Sequence, residues 1–221
     1  MTGNAAGILL AAGDGSRLGR PKALIVIGGQ SLARRGIALL RHGGADPVIV
    51  VTGAAGPDAL GPDALGPDEP GSGTGAGGSG QPGLISVHNP RWSTGMGSSL
   101  AVGLAAVPDG CSAAVLALAD QPLVGPAAVR RLIAAHAAGA SVAVACYHGR
   151  PRNPVLIARQ HWAEVAELAT GDVGARPFLQ AHPELVVQIE CGDTGQPDDI
   201  DTPDDLARIE ALLARTAPFP N

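Results

Sequence analysis

GILLAAGDGSRLGRPK, Gly7–Lys22, decides how the rest of the chain is read. Its first part, GILLAA, is an unbroken apolar run, the pattern of a short strand buried on both faces. Its second part sets Gly13, Gly15 and Gly19 among Arg17, Arg20 and Lys22. A glycine-rich cationic loop behind a buried strand suits a phosphate: glycines let backbone N–H groups approach the oxygens, and cations complete the neutralisation. GDGSRLG is also Gly-x-Gly-x-x-x-Gly, near the dinucleotide fingerprint of redox enzymes. That fingerprint wants an acidic residue after the second strand, which here ends VVTGAAG. A solvated turn with chance charges is the third reading.

Outward from this stretch, apolar runs alternate with helical patterns. PVIVVTG (47–53), LISVHN (84–89), SAAVLALAD (112–120), SVAVAC (141–146), NPVLIA (153–158) and LVVQIE (185–190) read as further strands. Helices are expected over 31–44, 99–107, 126–139, 160–169 and 203–215. Pro126 and Gly139 bracket one of them in the usual order. Thr202 as N-cap, Pro203 at the first position and Asp205 at the third open another. Fully apolar strands alternating with helices predict an α/β protein with a mostly parallel sheet covered on both faces. Aromatic residues are 2% of the chain, so the core is aliphatic.

From Gly53 to Gly83, 11 of 31 residues are glycine and 5 are proline, and GPDAL repeats. That composition predicts a disordered insertion at 54–83 within one domain spanning 1–216, with 217–221 as a tail. A net charge of −5 argues against a nucleic-acid partner. No apolar run is long enough to span a membrane, and the N-terminus lacks the basic region of a signal peptide. Cys111, Cys146 and Cys191 have no metal-ligand spacing and read as buried free thiols, which predicts a reducing cytoplasm. The six histidines are scattered, and none is assigned a catalytic role.

LLAAGDGSRLGRPKAL resembles the signature of nucleotidyltransferases related to the molybdenum cofactor cytidylyl- and guanylyltransferases. NPRWSTGMGSSLAVGL (89–104), LALADQPLV (116–124), GDVGARPFL (171–179) and DIDTPDDL (199–206) resemble later segments of the same family, in order along nearly the whole chain. The resemblance implies a three-layer α/β/α Rossmann-like nucleotidyltransferase fold. It implies transfer of the α-phosphate group of a nucleoside triphosphate to a phosphate-bearing pterin acceptor, molybdopterin or molybdenum cofactor, with release of pyrophosphate. Mg²⁺ is the implied cofactor, and an acceptor molybdoenzyme or its chaperone the implied protein partner. Ala12–Gly13, in place of Gly-Gly, resembles the cytidylyl branch and implies CTP.

Carried over residue by residue, Leu10, Ala11, Ala12, Gly13 and Gly15 bind nucleotide, Arg17 holds the β- and γ-phosphates, and Lys22 neutralises the α-phosphate. Asn89, Gly95, Ser98 and Ser99 line the nucleotide pocket. Trp92 is a pocket wall or a core side chain, and Ser98 and Ser99 also suit helix caps. Asp120, at the end of an apolar strand where α/β sheets receive ligands, is the expected Mg²⁺ ligand, with Asp201 the second. Each has a structural alternative, a turn for Asp120 and a helix-start charge for Asp201. The family's Gly-His-Pro is replaced here by Arg152-Asn153-Pro154. Arg150, Arg152 and Arg176 are therefore candidate anion contacts or solvated charges. Two other functions fit the first loop: an NAD(P)H- or flavin-dependent oxidoreductase on the same scaffold, and a carrier that binds a nucleotide or pterin without chemistry.

Overall fold

Consecutive apolar residues put both faces of a strand into a core, and here two cores form. The structure, a computed structural model, describes residues 4–57 and 83–215. Most of the expected insertion and the tail lie outside these residues. The strands are β1 (Asn4–Ala11), β4 (Val48–Thr52), β5 (Leu84–His88), β6 (Cys111–Leu118), β7 (Val142–Tyr147), β8 (Arg150–Ala158) and β9 (Val186–Glu190), in the order β5-β4-β1-β6-β8-β7-β9. A separate antiparallel pair, β2 (Val26–Ile27) and β3 (Gln30–Ser31), follows the first loop.

Odd and even positions of each strand go to opposite layers. Leu9, Val48, Val50 and Val115 face helices α1 (Leu32–His42) and α3 (Pro126–Ala137), where Ile37, Leu40, Val129 and Leu132 meet them. Ile8, Ile49, Val51 and Leu116 face α2 (Met96–Ala105), α4 (Trp162–Leu168) and α5 (Arg176–Ala181). This is the three-layer arrangement implied above. A third cluster packs Ile25, Ile27 and Leu32 against Ile200 and Ile209, seating α6 (Pro203–Arg215) beside the small β2–β3 pair. At the start of α6, Thr202 and Asp205 form a reciprocal cap: Asp205 N–H donates to Thr202 Oγ1 at 3.2 Å and Thr202 N–H to Asp205 Oδ2 at 3.0 Å.

The sheet is mostly parallel, with β8 antiparallel to both β6 and β7. A two-residue turn explains the reversal. His148 and Gly149, at φ 52° and 76°, link β7 to β8 as a hairpin, a connection parallel strands cannot use. The α2 helix starts at Met96, earlier than expected, and α4 at Trp162 after a 3₁₀ turn. The β2–β3 pair and α5 were not anticipated, being too short to establish a period. All three cysteines are buried and free. Among the described residues, no helix is long and apolar enough to cross a membrane.

Candidate active site

The chain runs from β1 through β4 to β5 on one side, then crosses to β6 on the other. The C-terminal ends of β1 and β6, paired through Leu10 and Leu118, therefore lie at a topological switch point, where open α/β sheets bind ligands. A cleft of about 500 Å³ opens there.

One wall is the first loop. Leu10, Ala11, Ala12, Gly13, Gly15 and Arg17 all line the cleft. Gly15 sits at φ 60° and ψ 39°, and a Cβ on it would strike the Arg20 carbonyl and crowd Lys22. Only glycine lets the loop fold back this tightly. The fold-back brings Lys22 N–H to the Gly13 carbonyl at 3.3 Å and aims the Lys22 side chain into the cleft.

Lys22 Nζ is held by two carboxylates, Asp120 Oδ2 at 2.7 Å and Asp201 Oδ1 at 2.6 Å. Asp120 leaves the end of β6, while Asp201 arrives on the segment before α6. The Lys22 and Asp120 side chains are 19% and 21% exposed, and Asp201 is 51% exposed. Burial opposes the charge on Lys22, but the pull of Asp120 and then Asp201 outweighs it, and the ammonium's pKa stands above its ordinary value. Burial, with Asp120 nearby, pushes the Asp199 carboxyl up.

Asp120 and Asp201 each give one oxygen to Lys22 and retain a second. Among the described residues, no group of three or more His, Cys, Asp or Glu could close around a metal. This donor set is wrong for a structural zinc cage. It fits a hard cation that takes one or two carboxylates and completes its shell with phosphate oxygens and water.

The opposite wall comes from α2 and the turn before it: Trp92, Gly95, Met96 and Ser99. Gly53 packs against the Cβ atoms of Trp92 and Ala12, closing the two walls together. Asn89 and Ser98 stand behind this wall and are not among its lining residues. Asn89 is fully buried; its Nδ2 donates to Ser98 Oγ at 2.8 Å and Ser99 Oγ at 2.9 Å, and its Oδ1 accepts from Arg91 N–H at 2.9 Å. They frame the wall, and Ser99 alone of the three reaches the cleft. Arg150, Arg152 and Arg176 are exposed and do not line it either.

Asp172 also lines the cleft, and sequence reasoning gave it no role. Its Oδ1 accepts from Met96 N–H at 3.2 Å, capping α2 from outside. Gly95 and Gly97 lie against the backbone of Gly171 and Ala169, which permits the approach. Its place in GDVGARPFL was the available signal.

Residues 7–186 match the MobA-like NTP transferase domain. The chain belongs to that family. A relative named nicotine blue oxidoreductase, from Paenarthrobacter nicotinovorans, is 34% identical over 211 residues, covering 92% of this chain and 95% of the relative. A probable molybdenum cofactor guanylyltransferase of Opitutus terrae is 44% identical over 54 residues, 23% of this chain and 27% of that one. The solved structure of Rv0371c from Mycobacterium tuberculosis superposes with a TM-score of 0.75 at 28% identity, covering 96% of this chain and 100% of that one. A second structure of that protein is a complex with manganese; it superposes with a TM-score of 0.68 at 26% identity, covering 94% and 98%.

Proposed function

We propose that this chain transfers the nucleotidyl group of a nucleoside triphosphate, CTP first among them, to the phosphate of a pterin-type acceptor, with Mg²⁺ as cofactor. An acceptor phosphate oxygen attacks the α-phosphorus, a new P–O–P anhydride forms, and the bond to the β-phosphate oxygen breaks to release pyrophosphate. The observation that carries the reading is Lys22 between Asp120 and Asp201 under a glycine loop bearing Arg17. Both reactants are anionic, so the site has to neutralise and align them. Arg17 and the loop N–H groups hold the outer phosphates. Lys22, anchored by two carboxylates, offers its charge to the α-phosphate. Asp120 and Asp201 would hold the divalent ion, which when bound stabilises charge on the phosphate oxygens. The family match and the manganese complex of a relative support a metal-dependent transfer.

Pyrophosphate release by the purified protein, with Mg²⁺, each of CTP, GTP and ATP, and molybdopterin, tests this. Metal-dependent release with CTP, lost in Asp120→Asn, is expected. No release with any nucleotide would reject it.

The relative named nicotine blue oxidoreductase favours a second reading, in which the cleft holds a nicotinamide or flavin nucleotide for hydride transfer. NAD(P)H oxidation with a quinonoid dye acceptor that survives Asp120→Asn and needs no divalent ion would select it.

A further inference from the structure

The segment Thr194–Asp201, which carries one of the two carboxylates on Lys22, runs back along residues 120–125. Its backbone bonding has a gap. A bridge joins Val124 and Gly195, Gln196 N–H donates to the Leu123 carbonyl at 3.1 Å, and Ile200 N–H donates to the Asp120 carbonyl at 2.9 Å. Between them stands Pro197, which has no N–H to offer. The Gln121 side chain spans the gap. Its Nε2 donates to the Pro197 carbonyl at 3.2 Å and to Asp199 Oδ1 at 2.7 Å, so both hydrogens of one amide are used. Gln121 is 5% exposed, and a buried amide that lost these partners would find little water to replace them.

We propose that Gln121 is a positioning residue for the transfer site: it clamps the 197–199 segment and thereby fixes Asp201 against Lys22. Asp201 has its own N–H on Asp205 Oδ2 at 3.3 Å and follows the Ile200 bond to Asp120; the Gln121 clamp holds the residues just before these. The Asp201 side chain is half exposed and lies 179 residues from Lys22 in sequence, so its segment must be held for the two to meet. Gln121 also follows Asp120 directly. One residue therefore ties both carboxylates to a common frame, the first through the backbone and the second through its amide. The residue type follows from the job. Glutamate has no donor when ionised, asparagine is one methylene shorter, and methionine fills the space without bonding. This inference rests on the nucleotidyl-transfer reading above for its kinetic consequence, though not for the clamp itself.

The test uses the full chain and three variants. Gln121→Met keeps the volume and removes both donors. Gln121→Glu sets a second carboxylate against Asp199. Adding Asp199→Asn to Gln121→Glu restores one donor–acceptor pair with its direction reversed. Three readouts are taken: hydrogen exchange of the 198–202 amides, Mn²⁺ binding by calorimetry, and pyrophosphate release at limiting and saturating CTP.

Both single variants are expected to speed exchange at 200–202 by about tenfold and to weaken Mn²⁺ by about tenfold, the scale for losing a residue that orients a metal ligand. They should lower kcat by about 10- to 100-fold with KM for CTP little changed, because the glycine loop that grips the outer phosphates is untouched. The double variant should recover most of each loss. Unchanged exchange and Mn²⁺ affinity in Gln121→Met, or a double variant no better than Gln121→Glu, overturns the proposal. If Gln121→Met does not fold, the comparison of Gln121→Glu with the double variant decides. If the wild-type chain neither binds Mn²⁺ nor releases pyrophosphate, the transfer reading fails, and the exchange data alone decide the clamp.

Discussion

Replacing Lys22 with methionine leaves Asp120 and Asp201 facing each other without their shared cation. Their oxygens lie 2.7 and 2.6 Å from Nζ. The two oxygens are thus at most about 5 Å apart, where unit charges repel by about 3 kcal/mol at an effective dielectric near 20. Asp201 is 51% exposed, so solvent screens the pair. Roughly 1 to 2 kcal/mol remains, which lowers Tm by about 2 to 8 °C in a domain of this length. The folded-state pKa of Lys22 is raised, so its contribution is complete at neutral pH and is lost only as pH rises past 10.5 and through the folded value. The assay is thermal unfolding at neutral pH and low salt, with and without Mg²⁺ or Mn²⁺. A divalent ion replaces the lost charge, so the variant's Tm should rise on adding metal by more than the wild type's. High salt should narrow the difference between the two proteins. A variant as stable as wild type at low salt, with no larger metal response, would refute the reasoning. Turnover should also fall by about 100-fold, the scale for losing one charge-stabilising donor.

Gly15→Ala forces a side chain into a left-handed turn and against the Arg20 carbonyl; it should cost about 1 to 2 kcal/mol in denaturant unfolding and raise KM for the nucleotide. Burial pushes the Tyr147 phenol up to about 12, so the stability it contributes is complete below pH 10 and lost between about pH 10 and 12. Its hydroxyl has no hydrogen-bond partner among the described residues, and the nearby Thr194 hydroxyl donates to the Cys191 carbonyl at 2.7 Å. Tyr147→Phe should therefore be as stable as wild type or more so near neutral pH, and it should lose less stability than wild type through that alkaline window. The hydrogen bond to Glu164, then that to Glu184, holds the His182 pKa above its ordinary value; Glu164→Gln should lower it, read from the imidazole shifts in an NMR titration.

The middle of the sheet was legible because β1, β4, β6 and β7 are apolar on both faces, and such runs need no partner to be recognised. The reversed direction of β8 was less so: it depends on two turn residues, His148 and Gly149, and only the second advertises a left-handed conformation. In the site, the glycine loop could be read locally, since backbone curvature is written into Gly13, Gly15 and Gly19. The meeting of Lys22 with Asp120 and Asp201 spans 98 and 179 residues, so it rested on the family resemblance and on the rule for strand ends. Asn89 shows the opposite case. An asparagine beside a nucleotide pocket and one buried behind it have the same sequence, and only burial with Ser98 and Ser99 as partners separates them. Asp172 reaches the cleft through glycine contacts between distant segments, a relation no periodicity reports.

The triad joining Lys22 to Asp201 also sets a timetable for biosynthesis. A chain emerging from the ribosome presents its glycine loop 179 residues before the far carboxylate. The β1 strand and its neighbours can pair earlier, but such a nascent domain lacks one of the two carboxylates on Lys22. The Lys22 cluster is then complete only once the 194–201 segment lies in place.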